Sequence, residues 1–298
     1  MIINKKVKGV LLGLLSAGAF GIIPLFSIPL MKGMGIPSIL FYRFLFATII
    51  VIPICLAKEK KLRVNYQELK SLFFLATIFA LTSLGLIWSY SYIPSGIATT
   101  IHFLYPILVS AIMIVFYKER KTIRIIIATF LSFVGVALLC WNNDENIKII
   151  GVILALITVV TYAIYIVGLD KFLKKTSPLI ITFYVLLFCS IIFGFYAVMT
   201  TGIEQIKTGN DWFNLFSLAL FPTVLADYVL IRIVSAKYIS PTEASILGVM
   251  EPVVATFMGV LFFAEHFNTF SFIGLLLVLF SVLIVIVSKA NNISKNNT

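Results

Sequence analysis

The sequence predicts an all-α integral membrane protein: ten transmembrane helices, arranged as two inverted five-helix repeats around a central cavity. Three observations lead there. Hydrophobic residues make up 61% of the chain and charged residues 12%, with a mean hydropathy of +1.10, far from the balance of a water-soluble domain. The apolar residues are gathered into runs long enough to cross a bilayer, about 20 residues for about 30 Å of hydrocarbon. The chain also matches itself. Tyr92-Ile93 and Tyr238-Ile239, Pro106 and Pro252, and Glu119 and Glu265 all pair at a spacing of 146, nearly half of 298 residues. Gly9-Val10, Leu12, Leu14 and Phe20 pair with Gly151-Val152, Leu154, Leu156 and Tyr162 at 142.

The first span, 9 to 30, follows Lys5, Lys6 and Lys8 and stops before Lys32. The second, 36 to 57, contains Arg43 and is closed by Lys58, Lys60, Lys61 and Arg63. The third, 71 to 93, begins after Lys70 and ends in Trp88, Tyr90 and Tyr92, and the fourth, 96 to 117, runs into Lys118-Glu119-Arg120-Lys121. The fifth, 124 to 141, completes the first repeat, residues 1 to 143. The second repeat, residues 144 to 298, holds spans at 149 to 169, 178 to 200, 212 to 234, 241 to 263 and 269 to 288. Lipid-facing backbone must satisfy its own hydrogen bonds, and these runs exceed the alternating strands of a barrel, so each span is read as a helix.

The formal charge of +11 is a topology signal. With the N-terminus in the cytoplasm, only Lys32, Lys148 and Lys207 fall outside and Arg43 within a span; every other Lys and Arg falls inside, as the positive-inside rule requires. Both termini are therefore expected in the cytoplasm, and the membrane is expected to be a plasma membrane, most simply a bacterial inner membrane. An odd number of spans per repeat makes the two halves inverted, an architecture common among secondary transporters with a midplane site. The loop after the fourth span is rich in cations, whereas its partner, Ala264-Glu265-His266-Phe267, keeps the acid and loses them. Lys5, Lys6 and Lys8 before an apolar run that contains Ser16-Ala17-Gly18-Ala19 also fit a cleavable signal peptide. The repeat argues against that reading, because cleavage would remove the helix matching the sixth.

The segment from Tyr238 through Glu251-Pro252 to Gly259 and Glu265, together with Arg43-Phe44-Leu45-Phe46-Ala47, resembles the EamA-like family of the drug/metabolite transporter superfamily. The resemblance covers roughly residues 9 to 288. It implies ten helices around a cavity lined largely by helices 1, 3, 4, 6, 8 and 9, with helices 5 and 10 peripheral. It also implies export of small metabolites such as amino acids. One departure stands out: Tyr105 occupies the position equivalent to Glu251, so a carboxylate role at that depth is single-sided.

Ionisable groups inside spans are costly and tend to face an interior or a cavity. Glu251 lies about 15 Å from the cytoplasmic end of its span and Arg43 about 10 Å from the outer end of its own, by a rise of about 1.5 Å per residue. The two depths nearly coincide. Glu251 is a candidate to contact a substrate amino group or take up a proton, and Arg43 to hold a substrate carboxylate through its planar fork; a structural Arg43–Glu251 ion pair is the competing reading. Asp227 needs a cation, a proton or water, since Arg232 is five positions on and off its face. His102 reads either as a neutral histidine bonded to a carbonyl or as a pH-sensitive gate. Trp88 and Tyr105 are deep enough to need partners for their polar tips and are expected to face the cavity. Pro106 and Pro252 each remove a backbone hydrogen bond in mid-span and are candidate hinges. Pro24, Pro53 and Pro222 read as local bends.

Enzyme readings fare poorly. Cys55, Cys140 and Cys189 are isolated in apolar spans, and no metalloprotease, phosphate-cradling or nucleotide-binding motif occurs. No cofactor and no metal are expected, and nucleic acid is excluded as a partner by the absence of a basic stripe outside the spans. The expected function is secondary transport of small metabolites by alternating access. Drug efflux or metabolite uptake on the same fold is the alternative, and an intramembrane hydrolase or a channel is the reading from a different class. The expected partners are a small-molecule substrate and the lipid bilayer; a homodimer through peripheral helices remains open.

Overall fold

The structure, a computed structural model, describes residues 5–59, 62–93, 95–118, 123–139, 148–173, 176–263 and 269–294. Glu119, Cys140, Glu265 and His266 lie outside them. Among the described residues the chain is all helical. Six helices or helix pairs are long and apolar enough to cross a membrane: Val7–Met31, Ile36–Lys58, Tyr66–Ser89, Ile149–Phe172, Pro178–Met199 and Gly209–Ser235. The protein is thus a multi-pass membrane protein, and shorter apolar helical stretches lie at Tyr105–Tyr117, Ile126–Gly135 and Phe272–Ser281.

The shorter helices have physical causes. Where one span was expected between 96 and 117, α5 (Ser95–His102) stops and α6 (Tyr105–Tyr117) restarts with Pro106 in its first turn. The same happens between 241 and 263, where α12 (Pro241–Leu247) gives way to α13 (Met250–Phe263), which carries Pro252. A proline cannot donate to the preceding turn and disfavours helical backbone at the residue before it. The first span is divided likewise into α1 (Lys5–Gly21) and α2 (Ile23–Met31), with Pro24 just inside the restart. Pro53 leaves α3 (Ile36–Lys58) unbroken. Pro222 sits in a π-helical segment, Leu220–Leu225, between α10 (Gly209–Ala219) and α11 (Ala226–Ser235).

The other helices are α4 (Tyr66–Ser89), α7 (Ile123–Leu139), α8 (Ile149–Phe172), α9 (Pro178–Met199) and α14 (Thr269–Ser294). Three entries are fixed by reciprocal caps, Asn65 with Glu68, Thr208 with Asp211 and Ser240 with Glu243, each satisfying two backbone donors. Helices α1, α4, α8 and α11 form the middle of the bundle. Helix α1 packs on α11, α12 and α13, and α8 packs on α4, α5 and α6. Helix α3 pairs with α9, and α7 with α14.

Two glycines set how closely α1 and α8 approach the turns that follow α11 and α4. A Cβ on Gly9 would lie 2.9 Å from Ile239 Cγ2 and 3.0 Å from Tyr238 Cβ; one on Gly151 would lie 2.8 Å from Ile93 Cγ2 and 2.9 Å from Tyr92 Cβ. The residues that betray the internal match in the sequence are thus the residues that touch. Small residues at such crossings let backbones approach and gain dispersion contacts that lipid does not supply.

Candidate functional site

Four of the residues singled out in the sequence converge in the middle of the bundle. Glu251 enters from the first turn of α13, Tyr105 from the first residue of α6, His102 from the end of α5 and Arg43 from the second turn of α3. The two helix breaks explain the first three: each restarts a helix at mid-depth and turns its opening residues toward the bundle axis. Tyr105 donates its hydroxyl to Glu251 Oε1 at 3.5 Å. Its ring stands edge-on to Tyr162, with centroids 4.7 Å apart, and Tyr162 in turn meets Phe20 edge-on at 6.4 Å.

His102 packs 5.2 Å from Tyr105 and 5.1 Å from Tyr162, centroid to centroid. Its Nδ1 is 2.7 Å from Thr158 Oγ1, which is committed as a donor to the carbonyl of Ala155 at 2.5 Å. A hydroxyl has one proton to give, so Nδ1 carries the hydrogen and donates to Thr158. A side-chain hydroxyl therefore takes the place of the expected carbonyl partner.

Arg43, 2% exposed, makes no ion pair with Glu251. Its Nε donates to Thr223 Oγ1 at 2.7 Å and its Nη2 to the carbonyl of Pro222 at 3.4 Å. Thr223 passes its own proton to the carbonyl of Leu218 at 2.8 Å. Pro222 has no N–H, so the π-helical turn leaves backbone acceptors without their usual donors; the Thr223 hydroxyl and the guanidinium supply them. Two of five guanidinium donors are so occupied.

Two cavities flank this cluster. The first, a small cavity of about 30 Å³, is lined by Arg43, Glu251, His102 and Tyr162, by Thr82 and Ser83, and by apolar residues of α1, α2 and α4. The second, a small cavity of about 10 Å³, lies toward the end of the bundle that carries Gly13, Ile233 and Ala244, and is lined also by Tyr105 and Gly248. Phe20, Tyr162 and Glu251 belong to both walls. These three side chains separate one cavity from the other.

Two candidates lie elsewhere. Trp88 is 38% exposed and lines neither cavity. Asp227 on α11 is fully buried and likewise lines neither, and both of its oxygens are without a hydrogen-bond partner. Pro106 and Pro252 are buried at the helix restarts. Phe20, Tyr162, Thr158 and Thr223 belong to the cluster but were passed over in the sequence. The pairing of Phe20 with Tyr162 at a spacing of 142 was the available signal. Among the described residues no group of three His, Cys, Asp or Glu is placed to hold a metal ion.

The family model of the EamA-like transporters matches the chain twice, over residues 7–141 and 149–287. The chain belongs to the EamA-like transporter family. Relatives of this EamA-like chain include two proteins of Archaeoglobus fulgidus, each named an uncharacterized transporter. One is 27% identical over 247 residues, covering 83% of this chain and 85% of that protein. The other is 24% identical over 253 residues, covering 83% and 86%. A solved crystal structure superposes with a TM-score of 0.79 at 14% identity, covering 93% of this chain and 96% of its own; at that identity the likeness concerns the fold.

Proposed function

We propose that this EamA-like protein is a secondary transporter of small zwitterionic metabolites, with amino acids as the leading class, working by alternating access. The observation that carries the substrate class is the first cavity, where Arg43 and Glu251 share one wall without pairing with each other. A cation with free donors and a lone carboxylate, set among aromatic faces, suit a carboxylate and an ammonium on one molecule. The carboxylate goes to the guanidinium fork and the amino group to Glu251.

Alternating access is supported by the two cavities on either side of Phe20, Tyr162 and Glu251. Rocking of the bundle that parts these side chains on one face and closes them on the other would move a bound molecule across. The reading of ten helices in two inverted repeats, residues 1 to 143 and 144 to 298, is supported by the double family match. It is supported too by packing that recurs between halves, with α1 on α11 and α13 as α8 is on α4 and α6. The alternating Lys and Arg distribution supports both termini in the cytoplasm of a bacterial inner membrane; export as the direction rests on the family resemblance alone.

The test is counterflow in proteoliposomes loaded with unlabelled amino acids and related small metabolites, with wild type and Glu251→Gln side by side. Saturable accumulation by the wild type and its loss in the variant are expected, with expression and folding unchanged. Normal transport by Glu251→Gln would remove Glu251 from the mechanism.

A further inference from the structure

The most unusual polar group in the protein is outside the substrate cavities. Asp227 is 0% exposed and neither carboxyl oxygen has a hydrogen-bond partner. The helices packed against α11 are α1, α8, α9 and α12, together with the π-helical turn. From α1 comes Ser16, whose hydroxyl is spent on the carbonyl of Ala226 at 2.8 Å. The titratable groups within electrostatic reach of Asp227 are Tyr162 and Tyr165 on α8, Cys189 on α9 and Arg43 on α3. The Tyr165 hydroxyl is itself buried without a partner. Arg43 is the one cation among them, yet its guanidinium is engaged by Thr223 and Pro222 and forms no ion pair with Asp227.

A carboxylate held without hydrogen bonds or solvent is severely disfavoured; a buried acid in this setting is neutral or has a cation against it. A bound metal cation does not suit the place, because it would sit near a fixed guanidinium and find few oxygens. A proton does. The alternative counter-charge is already near: Arg43 needs only to leave the π-helical turn, whose Thr223 hydroxyl and Pro222 carbonyl hold it now. Such π-helical turns are frequent at functional sites.

We infer that Asp227 is a proton-binding site: it carries a proton in this conformation and gives it up when Arg43 swings from Thr223 and Pro222 to face it. In that step the carboxyl O–H bond breaks, the proton passes to water at the side then open, and the guanidinium replaces it as the partner of the carboxylate. Re-protonation sends Arg43 back to the turn. Because Arg43 also lines the substrate cavity, the deprotonated Asp227 and a substrate carboxylate compete for the same guanidinium, so protonation of Asp227 leaves Arg43 to the substrate and couples the two. The coupling rests on the transporter reading; the proton at Asp227 does not.

The test is infrared spectroscopy of the purified protein in lipid nanodiscs without substrate. At neutral pH the wild type should show the C=O stretch of a protonated carboxyl group that shifts in D2O. Asp227→Asn should lose that band and Glu251→Gln should keep it. Asp227→Glu, which keeps the acid, should move it; this variant serves if the amide fails to fold. Arg43→Gln, which removes the counter-charge, should retain the band at an alkaline pH at which the wild type has lost it. Absence of the band from the wild type, or its survival in Asp227→Asn, would overturn the proposal. Movement of the band on exchanging sodium for potassium would also overturn it, in favour of a metal cation. A wild type that shows the band but accumulates no tested metabolite would fault the substrate reading and leave the proton site standing.

Discussion

Tyr105 and Glu251 occupy equivalent positions in the internal match, and they touch: the phenol donates to the carboxylate at 3.5 Å across a sequence separation of 146. Phe20 and Tyr162, equivalent at a spacing of 142, likewise meet edge-on. On the proposed reading of two inverted repeats, residues related by the two-fold operation meet only where its axis passes between them, so these four side chains would mark the centre about which the halves are related. Three of them, Phe20, Tyr162 and Glu251, are also the side chains between the two cavities.

The bond from Tyr105 is long, and a neutral hydrogen bond contributes only about 1 kcal/mol net. Tyr105→Phe is therefore expected to lower stability by no more than about that amount, while freeing Glu251 for substrate. Counterflow should show an altered KM with expression and melting temperature nearly unchanged. A collapse of the melting temperature would mean that the phenol holds the bundle together.

Close approach at Gly9 and Gly151 predicts a steric penalty. Gly9→Val and Gly151→Val should each destabilise by about 1–3 kcal/mol, the usual range for overpacking, measured by thermal unfolding in detergent. Gly33, with nothing within 4 Å of an added Cβ, is the control: Gly33→Ala should leave the melting temperature alone.

Thr223 links the arginine to the π-helical turn. Thr223→Val keeps the shape, removes the acceptor of Arg43 Nε and leaves the Leu218 carbonyl without its donor. The expected loss is about 1–3 kcal/mol for buried groups left unsatisfied, read as a lower melting temperature. Thr223→Ser, which keeps the hydroxyl, should recover most of it.

Two-sided access predicts reciprocal labelling. In a background with Cys55, Cys140 and Cys189 replaced by serine, Ser83→Cys reports the first cavity and Ala244→Cys the second. Addition of a transported substrate should raise thiol reactivity at one site and lower it at the other. Parallel changes at both would argue for a continuous pore.

Much of the site could be read in advance because charge is conspicuous in an apolar chain. Glu251 and Arg43 stand out as charged groups at similar depth, and His102 and Tyr105 as polar groups within a span, and the structure gathers all four. What could not be read were partners distant in sequence and ordinary in type. Arg43 finds Thr223 across 180 positions, and the reason lies in the backbone geometry that Pro222 imposes, which looked like a local bend. Phe20 and Tyr162 are aromatic residues among many, and only contact distinguishes them. Trp88, judged by depth alone, points outward because depth says nothing of helix face. The helix breaks beside Pro106 and Pro252 were expected as kinks; the structure shows full interruption, with α6 and α13 restarting just before each proline.

On the proposed reading of two inverted repeats, the meeting of Tyr105 with Glu251 has a consequence for how such a protein can arise. In an isologous homodimer of single repeats, any residue on the dyad faces its own copy, so a glutamate there would oppose a glutamate and like charges would repel. Joining both copies in one polypeptide lifts the demand for self-complementarity. Each partner on the dyad can then mutate alone, and a single acid can stand at the centre with a phenol opposite. A one-charge centre is a property that gene fusion permits and a symmetric dimer forbids.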